Sequence, residues 1–314
     1  MEIMIARDFL VDLGLLLAPA KMLSSSIIAA AQQLTESTSI DLLPKIKFQP
    51  VSINSISSPL ATSYIQQGQG GTPILLIHGF DSSLLEFRRL LPLLSVEREV
   101  WAVDLLGFGF TERSPGLNYS PQLIQAHLYQ FWQTMIQKPM IIVGASMGGA
   151  TAIDFTLTHP QAVAELVLID SAGFTKPPAT GKLMFPPIDR LATAFLSNRS
   201  VRQRISQAAY YNSKWASPDA QLCAALHLQC ENWRNAVINF TKSGGYGYYG
   251  DRLTNIQQPS LILWGANDKI LGIKDADRFH QNLPDSQLVW IKKCGHVPHL
   301  EQPQVTATAI LNWV

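Results

Sequence analysis

Charge is scarce in this sequence. Only 15% of its 314 residues are Asp, Glu, Lys or Arg, against 47% hydrophobic, which excludes a disordered chain and implies a large core or an apolar site. Neither sign dominates, because 24 basic residues nearly balance 23 acidic ones for a net of +1. A phosphate backbone needs a basic field, so nucleic acid is excluded as a partner. Cysteine is sparse as well. Cys223, Cys230 and Cys294 form an odd set without C-x-x-C spacing, so a disulfide framework is not expected, and neither is a metal. The apolar opening of the chain, residues 1–40, is broken by Glu2, Arg7, Asp8, Asp12 and Lys21. It lacks both the run of about 18 uncharged residues that spans a bilayer and the basic start of a signal peptide. Residues 1–44 therefore read as an N-terminal helical extension, either packed on the domain or in peripheral contact with a membrane.

From Lys45 onward short strands and helices alternate. Lys45 to Ile53 and Thr62 to Gln67 read as an antiparallel pair. Near-continuous apolar runs follow at Pro73 to Ile77, Val100 to Leu105, Met140 to Val143, Leu166 to Ile169, Leu261 to Trp264 and Leu288 to Ile291. Buried parallel strands have this pattern. Helical stretches such as Pro121 to Ile136 and Met147 to Thr158 lie between them. The fold class expected is α/β, a mostly parallel sheet flanked by helices. One interval, Ser171 to Pro259, is too long for a simple crossover. Helical patterns at Leu183 to Phe195 and Pro218 to Phe240 suggest a helical cap, placing the core at 45–172 and 251–314 and the cap at 173–250.

Four loops at strand ends carry the chemistry. Gly144-Ala145-Ser146-Met147-Gly148 lies between a strand and a helix, where a sharp turn exposes a serine as nucleophile. Asp268 follows the first strand after the cap, and His296 follows the last strand, so an aspartate is available to orient a histidine that acts as base. Ser146, Asp268 and His296 thus occur in the chain order of a nucleophile, orienter and base grafted on strand ends. His299 is the rival base, but Gly295 before His296 and Glu301 to Pro303 beyond it favour His296. The backbone N–H groups of Phe80, in His78-Gly79-Phe80-Asp81, and of Met147 are placed to form an oxyanion hole. Phe80, Met147 and Tyr246 are the candidate substrate-pocket side chains. Tyr246, Tyr248 and Tyr249, set among glycines, read as an aromatic edge at the entrance.

From about Lys45 to Val314 the sequence resembles the α/β-hydrolase superfamily, and more narrowly the chlorophyll dephytylase family of chloroplasts and cyanobacteria. The segments that carry the narrower resemblance are His78 to Arg88 (HGFDSSLLEFR), Val100 to Gly109 (VWAVDLLGFG), Thr241 to Tyr246 (TKSGGY) and Cys294 to His299 (CGHVPH). The plant elbow reads Gly-Pro-Ser-Leu-Gly, whereas Ala145 and Met147 flank Ser146 here. The resemblance implies an α/β-hydrolase fold and a serine hydrolase that cleaves the phytyl ester of chlorophyll into chlorophyllide and phytol. It implies no cofactor, a hydrophobic ester as partner, and a cytoplasmic or thylakoid-associated location in a cyanobacterium-like host. A general carboxylesterase or lipase, or a C–C bond hydrolase of the same fold, is the alternative.

Overall fold

The computed structural model describes residues 23–174 and 185–314. Residues 1–22 of the expected extension and 175–184 of the expected cap lie outside them. Eight strands form one sheet in the order β1-β2-β4-β3-β5-β6-β7-β8. They are β1 (Lys47–Val51), β2 (Leu60–Gln67), β3 (Ile74–Ile77), β4 (Val100–Val103), β5 (Met140–Ala145), β6 (Val163–Ile169), β7 (Ser260–Gly265) and β8 (Ser286–Ile291). The β1–β2 and β2–β4 pairs are antiparallel and the remaining pairs parallel. This is the α/β architecture that the apolar runs imply.

Side chains leave successive strand residues on opposite faces, so a strand without polar positions feeds two cores. Leu75 and Ile77 of β3 join one cluster, whereas Ile74 and Leu76 join the other. The first cluster is covered by α3 (Pro121–Met135) and α4 (Met147–Thr158), reached in sequence after α1 (Ser25–Ala31) and α2 (Ser37–Leu42). The second is covered in part by Ile27 and Ala31 of α1, by Leu42 of α2 and by Leu34 between them, all buried. The described part of the N-terminal extension therefore buries these four residues on the domain, while Ile28 and Ile40 stay exposed. Asp219 fixes it further, accepting from the backbone N–H of Glu36 (2.9 Å) and from the hydroxyl of Ser39 (2.7 Å).

Between β6 and β7 the chain forms α5 (Ile188–Ser197), α6 (Arg199–Ala209), α7 (Pro218–Ala225) and α8 (Trp233–Lys242). The single helix expected over Pro218 to Phe240 is broken. After α7 comes a 3-10 turn, Leu226–Gln229, and Asn232 then adopts a left-handed φ of 57° before α8 begins. Asparagine tolerates that conformation, and its side-chain amide donates to the Arg113 carbonyl at 2.9 Å. Helix α6 has few apolar residues and so no hydrophobic periodicity in the sequence, although Asn198 caps it by accepting from the N–H groups of Ser200 and Val201. The chain closes with α9 (Lys274–Asn282), α10 (Pro298–Glu301) and α11 (Pro303–Trp313). Among the described residues, no helix is long and apolar enough to cross a membrane.

Candidate active site

Ser146 sits alone between β5 and α4 with φ 53° and ψ −119°, a conformation non-glycine residues rarely hold. Its backbone is pinned from both sides, the N–H donating to Ile169 O (3.0 Å) and the carbonyl accepting from Ala172 N (2.9 Å). The glycines two positions away are required by crowding. A Cβ on Gly148 would meet the Ile77 carbonyl oxygen at 2.1 Å, and one on Gly144 the Gly148 carbonyl oxygen at 2.2 Å. The G-x-S-x-G pattern is thus a packing solution that presents a serine at the strand end.

His296 Nδ1 lies 2.9 Å from Asp268 Oδ2, and both residues are buried. Burial alone raises the Asp268 pKa, yet hydrogen bonds from His296 and from the N–H groups of Ile270 and Leu271 carry it below the ordinary aspartate value. The carboxylate is therefore charged. With Nδ1 held, Nε2 is the nitrogen left to take a proton. Ser146 and His296 line one cavity of about 320 Å³ together with Phe80, Leu196, Ile205, Tyr210, Ile270, Val297 and Leu300.

The two expected oxyanion donors have no protein acceptor among the described residues. Met147 is the first residue of α4, where a helix offers its N–H no partner. The Phe80 N–H finds none either. The loop that carries Phe80 is braced from behind. His78 Nδ1 contacts the Gly79 carbonyl at 2.8 Å and its Nε2 accepts from Leu105 N at 3.1 Å, so this buried histidine is structural. Glu86 Oε2 accepts from the Gly79 N–H at 3.0 Å while its Oε1 lies 2.9 Å from His299 Nε2. Burial opposes the Glu86 charge, but the His299 contact brings its pKa down to about 2. His299 is committed to that loop, leaving His296 at the serine.

Of the three side chains expected to line the pocket, Phe80 does so. Met147 and Tyr246 are not on these walls. Met147 is buried in the first core cluster, and Tyr246 packs against that cluster with its ring 6.0 Å from Phe240. The tyrosine run is divided: Tyr249 is buried, its N–H bound to the Gly173 carbonyl at 2.7 Å, while Tyr248 is exposed. Phe80 leans on Phe108 and Phe240, linking the pocket to this aromatic cluster.

Two aspartates at the site, Asp81 and Asp170, have no role assigned from the sequence. Asp81, next to Phe80, is buried with φ 49°. Its Oδ2 accepts from Arg202 of α6 (2.6 Å), and its Oδ1 accepts from Trp233 of α8 (2.7 Å) and lies 3.1 Å from His227 Nε2. Burial again opposes the charge, and His227 and Arg202 hold the carboxyl down at about 2. The burial of His227 pushes its own pKa below the ordinary histidine value. Asp170, at the end of β6, clusters with Asp268 and His296 and accepts from Gly265 N at 3.0 Å. Burial and the neighbouring Asp268 charge raise its pKa well above the usual aspartate range, which favours the uncharged form. Its position directly after an apolar strand was the signal available. Cys294 is fully buried, which pushes its thiol pKa up and suits it to packing rather than nucleophilic attack.

A family model for the alpha/beta hydrolase fold matches residues 72–303. The chain is 34% identical over 239 residues to the Arabidopsis thaliana alpha/beta hydrolase domain-containing protein VTE7, covering 74% of this chain and 71% of that protein. It is 28% identical over 264 residues to a 2-hydroxy-6-oxo-6-(2'-aminophenyl)hexa-2,4-dienoic acid hydrolase of Metapseudomonas resinovorans, covering 81% and 87%. The solved structure of a serine hydrolase involved in carbazole degradation superposes with a TM-score of 0.71 at 26% identity, covering 85% of this chain and 98% of the other.

Proposed function

The chain belongs to the alpha/beta hydrolase fold family, and from that premise we propose that it is a serine hydrolase of a large apolar carboxylic ester, the phytyl ester of chlorophyll. The observation that carries the reading is the convergence of Ser146 and His296 on one largely apolar cavity, with Asp268 on the far nitrogen of the imidazole and two unpartnered N–H groups beside the serine. In this reading His296 removes the Ser146 proton as Oγ attacks the ester carbonyl. The N–H groups of Phe80 and Met147 receive the negative oxygen, and Asp268 stabilises the imidazolium. Collapse of the tetrahedral species passes the proton to the leaving alcohol, phytol, and leaves the pigment acid on Ser146. Water, deprotonated by His296, then releases chlorophyllide.

The magnesium of chlorophyll arrives with the substrate. A cavity of about 320 Å³ lies at the small end of ligand sites and is smaller than the whole pigment. It suits one arm of the ester, with the other outside the mouth. The family resemblance of the segments at His78 to Arg88 and Thr241 to Tyr246 supports phytyl over short acyl esters. The similarity to a dienoic acid hydrolase favours a second reading, C–C bond hydrolysis by the same residues. Of the two cations on the cavity wall, Arg202 is already paired with Asp81, whereas Arg88 keeps its Nε and Nη2 without a hydrogen-bond partner.

The test is incubation with chlorophyll a and pheophytin a in detergent, with chromatographic separation of phytol and dephytylated pigment. Release of phytol by the wild type and none by Ser146→Ala is expected. Brisk hydrolysis of short acyl esters without phytol release would make the protein an ordinary carboxylesterase, and turnover of a dienoic acid alone would favour the second reading.

A further inference from the structure

At the mouth of the cavity, α5 and α6 carry apolar side chains that cover nothing among the described residues. Ile188, Leu191 and Phe195 recur at positions i, i+3 and i+7 on one stripe of α5, and the last two are 66% and 61% exposed. Phe185 before the helix and Ile205 on α6 are exposed as well. The opposite face of α5 is the one that packs, through Asp189 and Thr193. A contiguous apolar surface of this kind on a soluble chain marks an interaction site.

Charge identifies the partner. Segment 185–214 carries Arg190, Arg199, Arg204 and Lys214 on its surface, while Arg202 is turned inward onto Asp81. Its single acid, Asp189, is buried. The chain as a whole is nearly neutral at +1, so this concentration of cations around the apolar stripe is local. Helices that lie in the plane of a bilayer combine the same features, Phe and Leu on one face and Arg or Lys beside it.

The stripe is also continuous with the site. Leu196, adjacent to Phe195, and Ile205, itself exposed, both line the cavity that holds Ser146. We infer that the α5–α6 face docks on the surface of an anionic lipid bilayer, setting the cavity mouth against the lipid so that an apolar ester enters without crossing water. The inference deepens the proposed ester hydrolysis and rests on it for the nature of the cargo. Half of the N-terminal segment for which membrane contact is expected, residues 1–22, lies outside the described residues, and of the described part Ile27, Ala31, Leu34 and Leu42 are buried on the domain while Ile28 and Ile40 are exposed.

Flotation of the full chain with phosphatidylglycerol/phosphatidylcholine vesicles tests the surface. Wild type should float with these vesicles, far less with pure phosphatidylcholine, and lose binding as salt rises. The double variant Leu191→Glu/Phe195→Glu, whose positions lie off the cavity walls, should bind at least about tenfold more weakly. It should hydrolyse a soluble short ester at the wild-type rate, which shows that it is folded. The charge variant Arg190→Glu/Arg199→Glu/Arg204→Glu should lose the preference for anionic vesicles. Absence of flotation, or equal flotation by the double variant, would overturn the inference. So would a wild-type dimer that becomes monomeric in the double variant, since the stripe would then cover a second copy. Flotation needs no turnover, so a protein that floats but releases no phytol retains the docking surface and loses the ester reading. Phytol release in detergent without flotation does the reverse.

Discussion

Replacing Asp81 by Asn tests whether the helices between β6 and β7 set the geometry of the oxyanion loop. The carboxylate takes Arg202 on one oxygen and Trp233 and His227 on the other. An amide of the same size keeps one acceptor and turns two hydrogens toward groups that themselves donate. A buried hydrogen bond to a charged group contributes about 1.5–3 kcal/mol, and Arg202 retains partial relief from the carbonyls of Leu196 and Ala224. A loss of about 3 kcal/mol is therefore expected. For 314 residues the unfolding entropy is about 0.66 kcal/mol/K, so the melting temperature should fall by about 4–5 °C. Phe80 is the next residue, and removal of one oxyanion donor costs about 10²–10³ in kcat. A donor displaced rather than removed should cost about 10–100-fold, with KM for a short p-nitrophenyl ester nearly unchanged. Steady-state kinetics and thermal unfolding on the same preparation decide the matter. An Asp81→Asn protein that melts early but keeps wild-type kcat would refute the coupling and reduce Asp81 to a staple between segments.

Three further outcomes follow from the same geometry. Ala at Gly148 places a Cβ 2.1 Å from a backbone oxygen of β3, a clash with no flexible partner, and should destabilise by at least about 3 kcal/mol, seen as loss of soluble protein or a large drop in urea midpoint. Asp170→Asn keeps the uncharged state that burial and the Asp268 charge favour at this position and should leave kcat within about threefold, whereas Asp268→Asn should lower it by about 10⁴; equal losses would mean that Asp170 is charged and shares the orienting role. Asp81 and Glu86 have folded pKa values of about 2, below ordinary values of 3.8 and 4.5. The stability they contribute is present above those ordinary values and lost as pH falls from about 4.5 toward 2, so denaturation midpoints measured across that range should decline, and the decline should be smaller in Glu86→Gln.

The sheet was legible because buried parallel strands are short apolar runs, and β3, β4, β5 and β7 have no polar residue except the terminal Ser260. The elbow was legible because crowding restricts positions 144 and 148 to glycine. What the sequence concealed depends on distant partners. Asp81 lies 121 positions from Arg202 and 152 from Trp233, and no local pattern joins them. Helix periodicity over Pro218 to Phe240 continues through a break made by the 3-10 turn at Leu226–Gln229 and the left-handed Asn232. Tyr246 looked like a pocket residue beside flexible glycines, but Gly245, at φ 61°, turns the chain so that the ring packs on Phe240. Asp170 was an ordinary strand-end residue until β7 brought Asp268 beside it.

The central claim is that Ser146 is the nucleophile, and it is tested most directly by fluorophosphonate labelling followed by peptide mass spectrometry. One phosphonate per chain on the peptide that contains Ser146 is predicted, absent in Ser146→Ala and strongly slowed in His296→Ala. Labelling at another residue, or none in a protein that still hydrolyses esters, would contradict it.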